Sequence, residues 1–368
     1  MKKLVLVCFA LLTFSSSLLA QSWHLLSNSP AQSFRHDDLW FINADTGWVV
    51  NVSGQIWTTK DGGNTWKELI SQPTSFRCVS FFDSTHGVIG NLGPGNWAPT
   101  SDTNPIYITF DGGKTIQLPT IIGPKPKGIC GLCKVNDTVI VGTGRFDGPP
   151  YFVRSTDRGK TWQSKNMKAY AGMLIDTYFT SPDTGFVVGG DDSIEGLSRS
   201  IILYTTDAGN TWTTKIKGIV KGNHCWKFVH TPNKVYYVSD EELYANDSLK
   251  FFKSLDAGAT WKEYTSPTRD YGFSQGLGFV NDTVGWIGGD TYAITSTDGG
   301  NTFSNFAPSN LLVNLNRIRF ISDTLAYAVG QRVYKYCKTW PSSINPIVDN
   351  SGYSLEQNIP NPFTNNTT

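Results

Sequence analysis

Short runs of alternating apolar and polar residues, each closed by a turn cluster, recur along the whole chain. Ile201-Ile202-Leu203-Tyr204 leads into Asp207-Ala208-Gly209-Asn210-Thr211-Trp212, and Trp66-Lys67-Glu68-Leu69 leads out of Asp61-Gly62-Gly63-Asn64-Thr65. Two such runs joined through Asp-x-Gly predict a β-hairpin. The cluster occurs six times, with aspartates at Asp61, Asp111, Asp157, Asp207, Asp256 and Asp298, spaced 50, 46, 50, 49 and 42 residues apart.

A second element precedes each hairpin. Phe41-Ile42-Asn43-Ala44-Asp45-Thr46-Gly47-Trp48 has counterparts starting at Phe81, Phe179, Phe279 and Phe320, with weaker copies at Leu132 and Phe228. Each copy supplies two more strands around an Asp/Asn-rich turn. Four short antiparallel strands, repeated seven times over residues 21–340, predict an all-β fold, a single seven-bladed β-propeller. The seventh repeat lacks the aspartate cluster. Trp23-His24-Leu25-Leu26 has the pattern of the strand that follows every cluster, so the N-terminal segment is expected to complete the last blade and remove two sheet edges.

Composition agrees with this reading. Thirty-six Gly, 18 Pro and 12 Trp among 368 residues supply turns and large rings. The formal net charge of +1 becomes −1 once Lys2 and Lys3 are removed, which leaves no basic footprint for nucleic acid. Residues 1–20 read as a secretory signal peptide, with Lys2 and Lys3, an apolar run from Leu4 to Phe14 and a small-residue exit at Ala20. No segment reaches the length of a membrane helix. The product is expected outside the cytoplasm, secreted or at the cell surface, as a monomer. Cys78, Cys130, Cys133, Cys225 and Cys337 remain, an odd number that leaves at least one thiol free.

The six clusters resemble the Ser/Thr-x-Asp-x-Gly-x-Thr-Trp motif of bacterial neuraminidase (BNR, Asp-box) repeats. The longer unit from Phe41 to Trp66 is similar to the photosystem II assembly and stability factor family. That second resemblance covers nearly all of residues 21–340, and implies a non-enzymatic seven-bladed propeller that binds a polypeptide through a basic patch. Tyr353-Ser354-Leu355-Glu356-Gln357-Asn358-Ile359-Pro360-Asn361-Pro362-Phe363 resembles the opening of the C-terminal sorting domain of the type IX secretion system of Bacteroidota. Residues 341–350 then form a linker, and 351–368 the truncated start of that domain, whose partner would be the type IX machinery.

The turns joining strands one to two and three to four of a blade share one face. The aspartate clusters therefore lie together on it as structural turns. Length variation is on the other face, where residues 91–105, 143–150, 191–199 and 240–249 form long loops. These carry Trp97, Arg145, Phe146, Asp191, Asp192, Glu195 and Tyr244, and mark a candidate binding surface. The first strands begin on the same side, with Arg35, His36, Asp37 and Asp38, then Arg77, Lys127, Asp176 and Tyr178, His224 and Lys227, Tyr271 and Gln275, and Arg317 and Arg319. Two uses are open to this ring: gripping a carboxylate or acidic peptide, or pairing internally.

Other motifs fail. Gly113-Lys114-Thr115 and Gly159-Lys160-Thr161 lack the first glycine of a phosphate loop, and Cys130-x-x-Cys133 has no second pair to complete a metal site. No cofactor or metal follows. The expectation is a non-catalytic module for protein or peptide, the alternative a carbohydrate-binding or sialidase-like protein. Against hydrolysis, Phe34-Arg35-His36-Asp37 does not match the sialidase Arg-Ile-Pro entry motif.

Overall fold

The computed structural model describes residues 21–337 except 34, 96–99, 243–247, 270–274, 291 and 307–310; the leader and the sorting-like tail lie outside the described residues. The chain forms the seven-bladed all-β propeller of four-stranded antiparallel blades that the repeats predict. Blade one comprises Asp38–Phe41, Gly47–Val50, Gln55–Thr59 and Lys67–Ser71, and the first strand of each blade is the one nearest the central channel. The other inner strands are Phe76–Phe81, Gly131–Lys134, Met173–Phe179, Asn223–His230, Gly276–Phe279 and Arg317–Ser322. The described helical structure is one 3-10 turn, Glu195–Leu197, and no described helix is long and apolar enough to cross a membrane.

The ring closes as the pattern of Trp23 predicts. Ser22–Leu25 pairs antiparallel with Val333–Cys337, setting Trp23 opposite Tyr336 as the fourth strand of blade seven. Trp23 is buried, edge-on to Trp286 of blade six at 5.6 Å. Blade two varies the plan. Its outer position is a single bridge, Ile108 to Gln117, and Thr120–Ile122 then runs parallel to the outer strand of blade three. Pro119 has no N–H to continue the first pairing.

Ring stacking between blades explains the recurring Phe and Gly. Phe81 at the end of one inner strand lies flat on Trp48 of the preceding blade at 3.6 Å, as Phe279 does on Tyr237 at 3.8 Å and Phe41 on Tyr327 at 3.6 Å. Each ring also covers a glycine in its own blade: a Cβ on Gly47 would lie 2.6 Å from the Phe41 ring. The glycine is therefore needed because an aromatic plane rests on the backbone.

The aspartate turns repeat one hydrogen-bond pattern. Asp61 Oδ1 accepts from Thr65 N at 2.9 Å and Thr59 Oγ1 at 2.8 Å, and Asp111, Asp157, Asp207, Asp256 and Asp298 do the same with their own neighbours. Gly62 N donates to Asp45 O at 2.9 Å, and equivalent bonds join the two turns in four other blades, so both kinds of turn share a face as the sequence predicts. The long connections, described at residues 92–95, 100–105, 145–150 and 191–199, are on the opposite face.

Candidate functional site: a charged waist and a cavity in the channel

The inner strands bring the basic and acidic candidates together at the middle of the channel, where they pair with one another. Arg317 Nη1 donates to Asp176 Oδ2 at 2.8 Å, and its Nε lies 3.3 Å from Asp38 Oδ1. Arg319 Nη2 reaches both oxygens of Asp38 at 3.0 Å, while its guanidinium rests 4.9 Å from the centre of the Trp40 ring. Arg77 donates to Asp37, which Arg35 approaches at 3.7 Å. Of the two uses open to the ring, internal pairing is thus built into Arg35, Arg77, Arg317 and Arg319. Arg319 alone of these four keeps appreciable exposure, 21%.

These pairs hold the carboxylates ionised. Burial alone raises the Asp38 carboxyl, but Arg319 and then Arg317 bring it below its ordinary range. Asp176 follows the same logic: burial raises it, and Arg317 followed by Lys227 brings it down. Lys227 is displaced the other way. Burial, then Arg317 and Arg77, push its ammonium well below the usual lysine value.

A cavity of about 320 Å³ adjoins this network. It is lined by Trp40, Lys134, Tyr178 and His230 from the second halves of their inner strands, together with Arg317 and Arg319 from the first half of the blade-seven strand. These strands end in the one-to-two turns, so the cavity lies in the half of the channel nearer the aspartate turns, whereas sequence reasoning looked to the loop face. Tyr178 stacks on the exposed His230 at 4.4 Å. The lining holds three cations and one carboxylate, Asp176; Asp38 pairs with Arg317 and Arg319 from beside it, and Lys134 Nζ lies 3.2 Å from the exposed Asp137.

The remaining candidates are dispersed. His36 is fully buried, bonded to Pro30 O at 3.0 Å, and burial pushes its ring down to about 4. His224 is buried against Phe146 and Trp226 and pushed down to about 4 for the same reason. Arg145 braces two loops by pairing with Asp147 at 2.7 Å and donating to Leu92 O at 3.1 Å. Lys127 is exposed, away from the cavity lining. Trp97, Tyr244 and Tyr271 lie outside the described residues.

Sequence reasoning missed Trp40, Lys134 and His230. They sit near the ends of inner strands whose beginnings it inspected, and continuing along each strand finds them. Cys78, Cys130, Cys133 and Cys225 are free thiols, with Cys130 buried and Cys133 pushed up to about 11 by burial.

No family model matches the chain. It is 25% identical over 304 residues to the photosystem II assembly protein Ycf48 of Thermosynechococcus vestitus, across 80% of this chain and 79% of that one. The structure of YCF48 bound to D1 peptide superposes with a TM-score of 0.60 at 20% identity, covering 86% of this chain and 96% of that one. The GH74 xyloglucanase of Xanthomonas campestris gives 0.60 at 13% identity, and the match spans about half of that enzyme, 53%. The chain is therefore a propeller similar to Ycf48 in sequence and fold, and similar to the xyloglucanase in fold alone.

Proposed function

We propose that this chain is a non-catalytic binding module for an acidic segment of polypeptide, held in the channel cavity nearer the aspartate turns. The observation that carries the reading is the lining itself: aromatic surfaces from Trp40 and Tyr178 beside the cationic groups of Lys134, Arg317 and Arg319. Apolar walls with a few placed charges suit a ligand recognised by shape and sign together. The peptide in the YCF48 complex supports polypeptide as the ligand class. The leader and the sorting-like tail support a site of action outside the cytoplasm, secreted or at the surface.

Binding is preferred to hydrolysis on electrostatic grounds. A glycosidase keeps one carboxyl protonated as general acid beside an ionised partner. Asp38 and Asp176 are both held low by arginines, and Asp240, whose carboxyl is pushed up, is absent from the cavity lining. Carbohydrate binding is the second reading, favoured by the partly exposed rings of Trp40 and Tyr178.

The test is an array of short peptides graded in net charge, read beside a glycan array, with the full chain and its Trp40→Ala and Lys134→Glu variants. Retention of acidic peptides, weakened by salt and by both substitutions, supports the proposal. Retention independent of peptide charge, or of glycans only, overturns it.

A further inference from the structure

The inner strands of blades two and five each depart from regular pairing at a cation. Arg77 sits where Phe76–Phe81 slips against Gly87–Asn91, and Trp226 with Lys227 where Asn223–His230 slips against Tyr236–Glu242. A bulge of this kind breaks the alternation of faces and re-aims a side chain. Both cations approach one indole: Arg77 Cζ lies 5.4 Å and Lys227 Nζ 5.9 Å from the centre of the Trp226 ring. Arg77 spends Nη1 on Asp37, and its other N–H groups have no acceptor among the described residues. The Lys227 ammonium has none at all there, although the residue is only 2% exposed. The indole N–H of Trp226 is likewise buried without an acceptor.

Of these donors the Trp226 indole N–H is the wholly buried one; a buried donor without an acceptor is costly, and in native structures it marks water or an ion. The acids at the waist are already engaged, Asp37 by Arg77, Asp38 by Arg319 and Asp176 by Arg317. The geometry points to a binding site for one small monoanion, of formate or chloride size, between Lys227 and the uncommitted N–H groups of Arg77 beside Trp226. The near-complete burial of both cations selects an ion of this size over a sugar or a peptide. This site is separate from the cavity and stands whether or not the cavity binds polypeptide.

Anion binding is linked to a proton. Arg317 and Arg77 act on Lys227 to lower it, Asp176 and Asp38 act on it to raise it, and the Cys130 thiol is close by. An arriving anion supplies counter-charge that favours the protonated form of Lys227. Affinity then falls with rising pH, by about tenfold per unit above the amine's own pKa.

The test is thermal unfolding of the full chain at pH 8 and one ionic strength in formate, chloride or gluconate, the last a much larger, polyhydroxylated anion. Higher midpoints in formate and chloride than in gluconate, lost in Lys227→Met, are expected. Equal midpoints in all three, or an undiminished difference in Lys227→Met, overturn the site. Calorimetric titration of the wild type with formate in two buffers of different ionisation enthalpy reads the proton directly. Net proton uptake on formate binding is expected, and binding without uptake overturns the role of Lys227 however the variant behaves.

Discussion

Arg317 and Asp176 meet across the channel at 2.8 Å although 141 residues separate them and their blades are not neighbours in the ring. Both side chains are almost wholly buried, at 6% and 3% exposure. The pair ties blade seven to blade four without passing through any blade interface.

Removing the acid should therefore expose what the tie contributes. Asp176→Asn keeps the shape but leaves Arg317 with Asp38 alone, and breaking a buried pair costs about 3–5 kcal/mol. The remaining Asp38 contact at 3.3 Å places the expected loss at the lower end. Urea unfolding reads it as a lower midpoint at unchanged slope. An unchanged midpoint would mean that the tie adds nothing to the closed ring.

The Phe and Gly of each repeat should be inseparable. A Cβ on Gly185 would press into the Phe179 ring, and such overpacking costs about 1–3 kcal/mol. Gly185→Ala is expected to fall in that range by urea unfolding. Combined with Phe179→Leu it should lose less than the two single effects added, because the flat ring is what the new methyl meets. Simple additivity would show that the contact is relieved by backbone movement.

This spacing is also why so much of the fold is legible in the chain. Phe-x-Asn/Asp turns and Asp-x-Gly clusters are local devices, so their period reports the blades directly, and Trp23 betrays ring closure by carrying the pattern of an outer strand. The transfer of Thr120–Ile122 to blade three is not legible, because the partner it gains lies in another repeat and Pro119 says only where the old pairing stops. The waist was half legible: the charged residues were found, but which arginine meets which aspartate depends on cross-channel distances that no repeat encodes. The cavity was not, since loop length drew attention to one face while the free space lies beside strand ends on the other half.

One turn position is strained by its side chain and should gain from losing it. Ala257 has φ 56° in the left-handed region, at a site where Gly62, Gly112 and Gly299 stand in other blades. The left-handed conformation costs an L-residue about 1–2 kcal/mol, and the freer unfolded chain of glycine returns about 0.5–1 of it. Ala257→Gly is expected to raise stability by about 0.5–1 kcal/mol, seen as a higher thermal midpoint. A lower midpoint would mean that neighbouring backbone has already absorbed the strain.

Asp240 gives stability a pH dependence opposite in sign to that of the aspartate turns. Asp207, Asp256 and Asp298 are held down to about 2, chiefly by Thr211, Thr260 and Thr302, so their contribution is present above pH 4 and is lost as pH falls through 2. Asp240 is pushed up to about 7 by burial, against the hydrogen bonds from Ser200 and from Asn223 at 3.1 Å. The folded chain binds its proton more tightly than the unfolded chain, whose carboxyl titrates near about 4. Stability therefore falls as pH rises from about 4 through about 7, because only the folded state must strip a proton from a buried acid. Asp240→Asn removes that proton, and the Asn223 Oδ1, buried without a partner, can turn to accept from the new amide. The variant is expected to match the wild type near pH 4 and to unfold at a higher temperature at pH 8, which thermal scans across pH would show. Parallel curves for the two proteins would mean that Asp240 is already ionised in the fold.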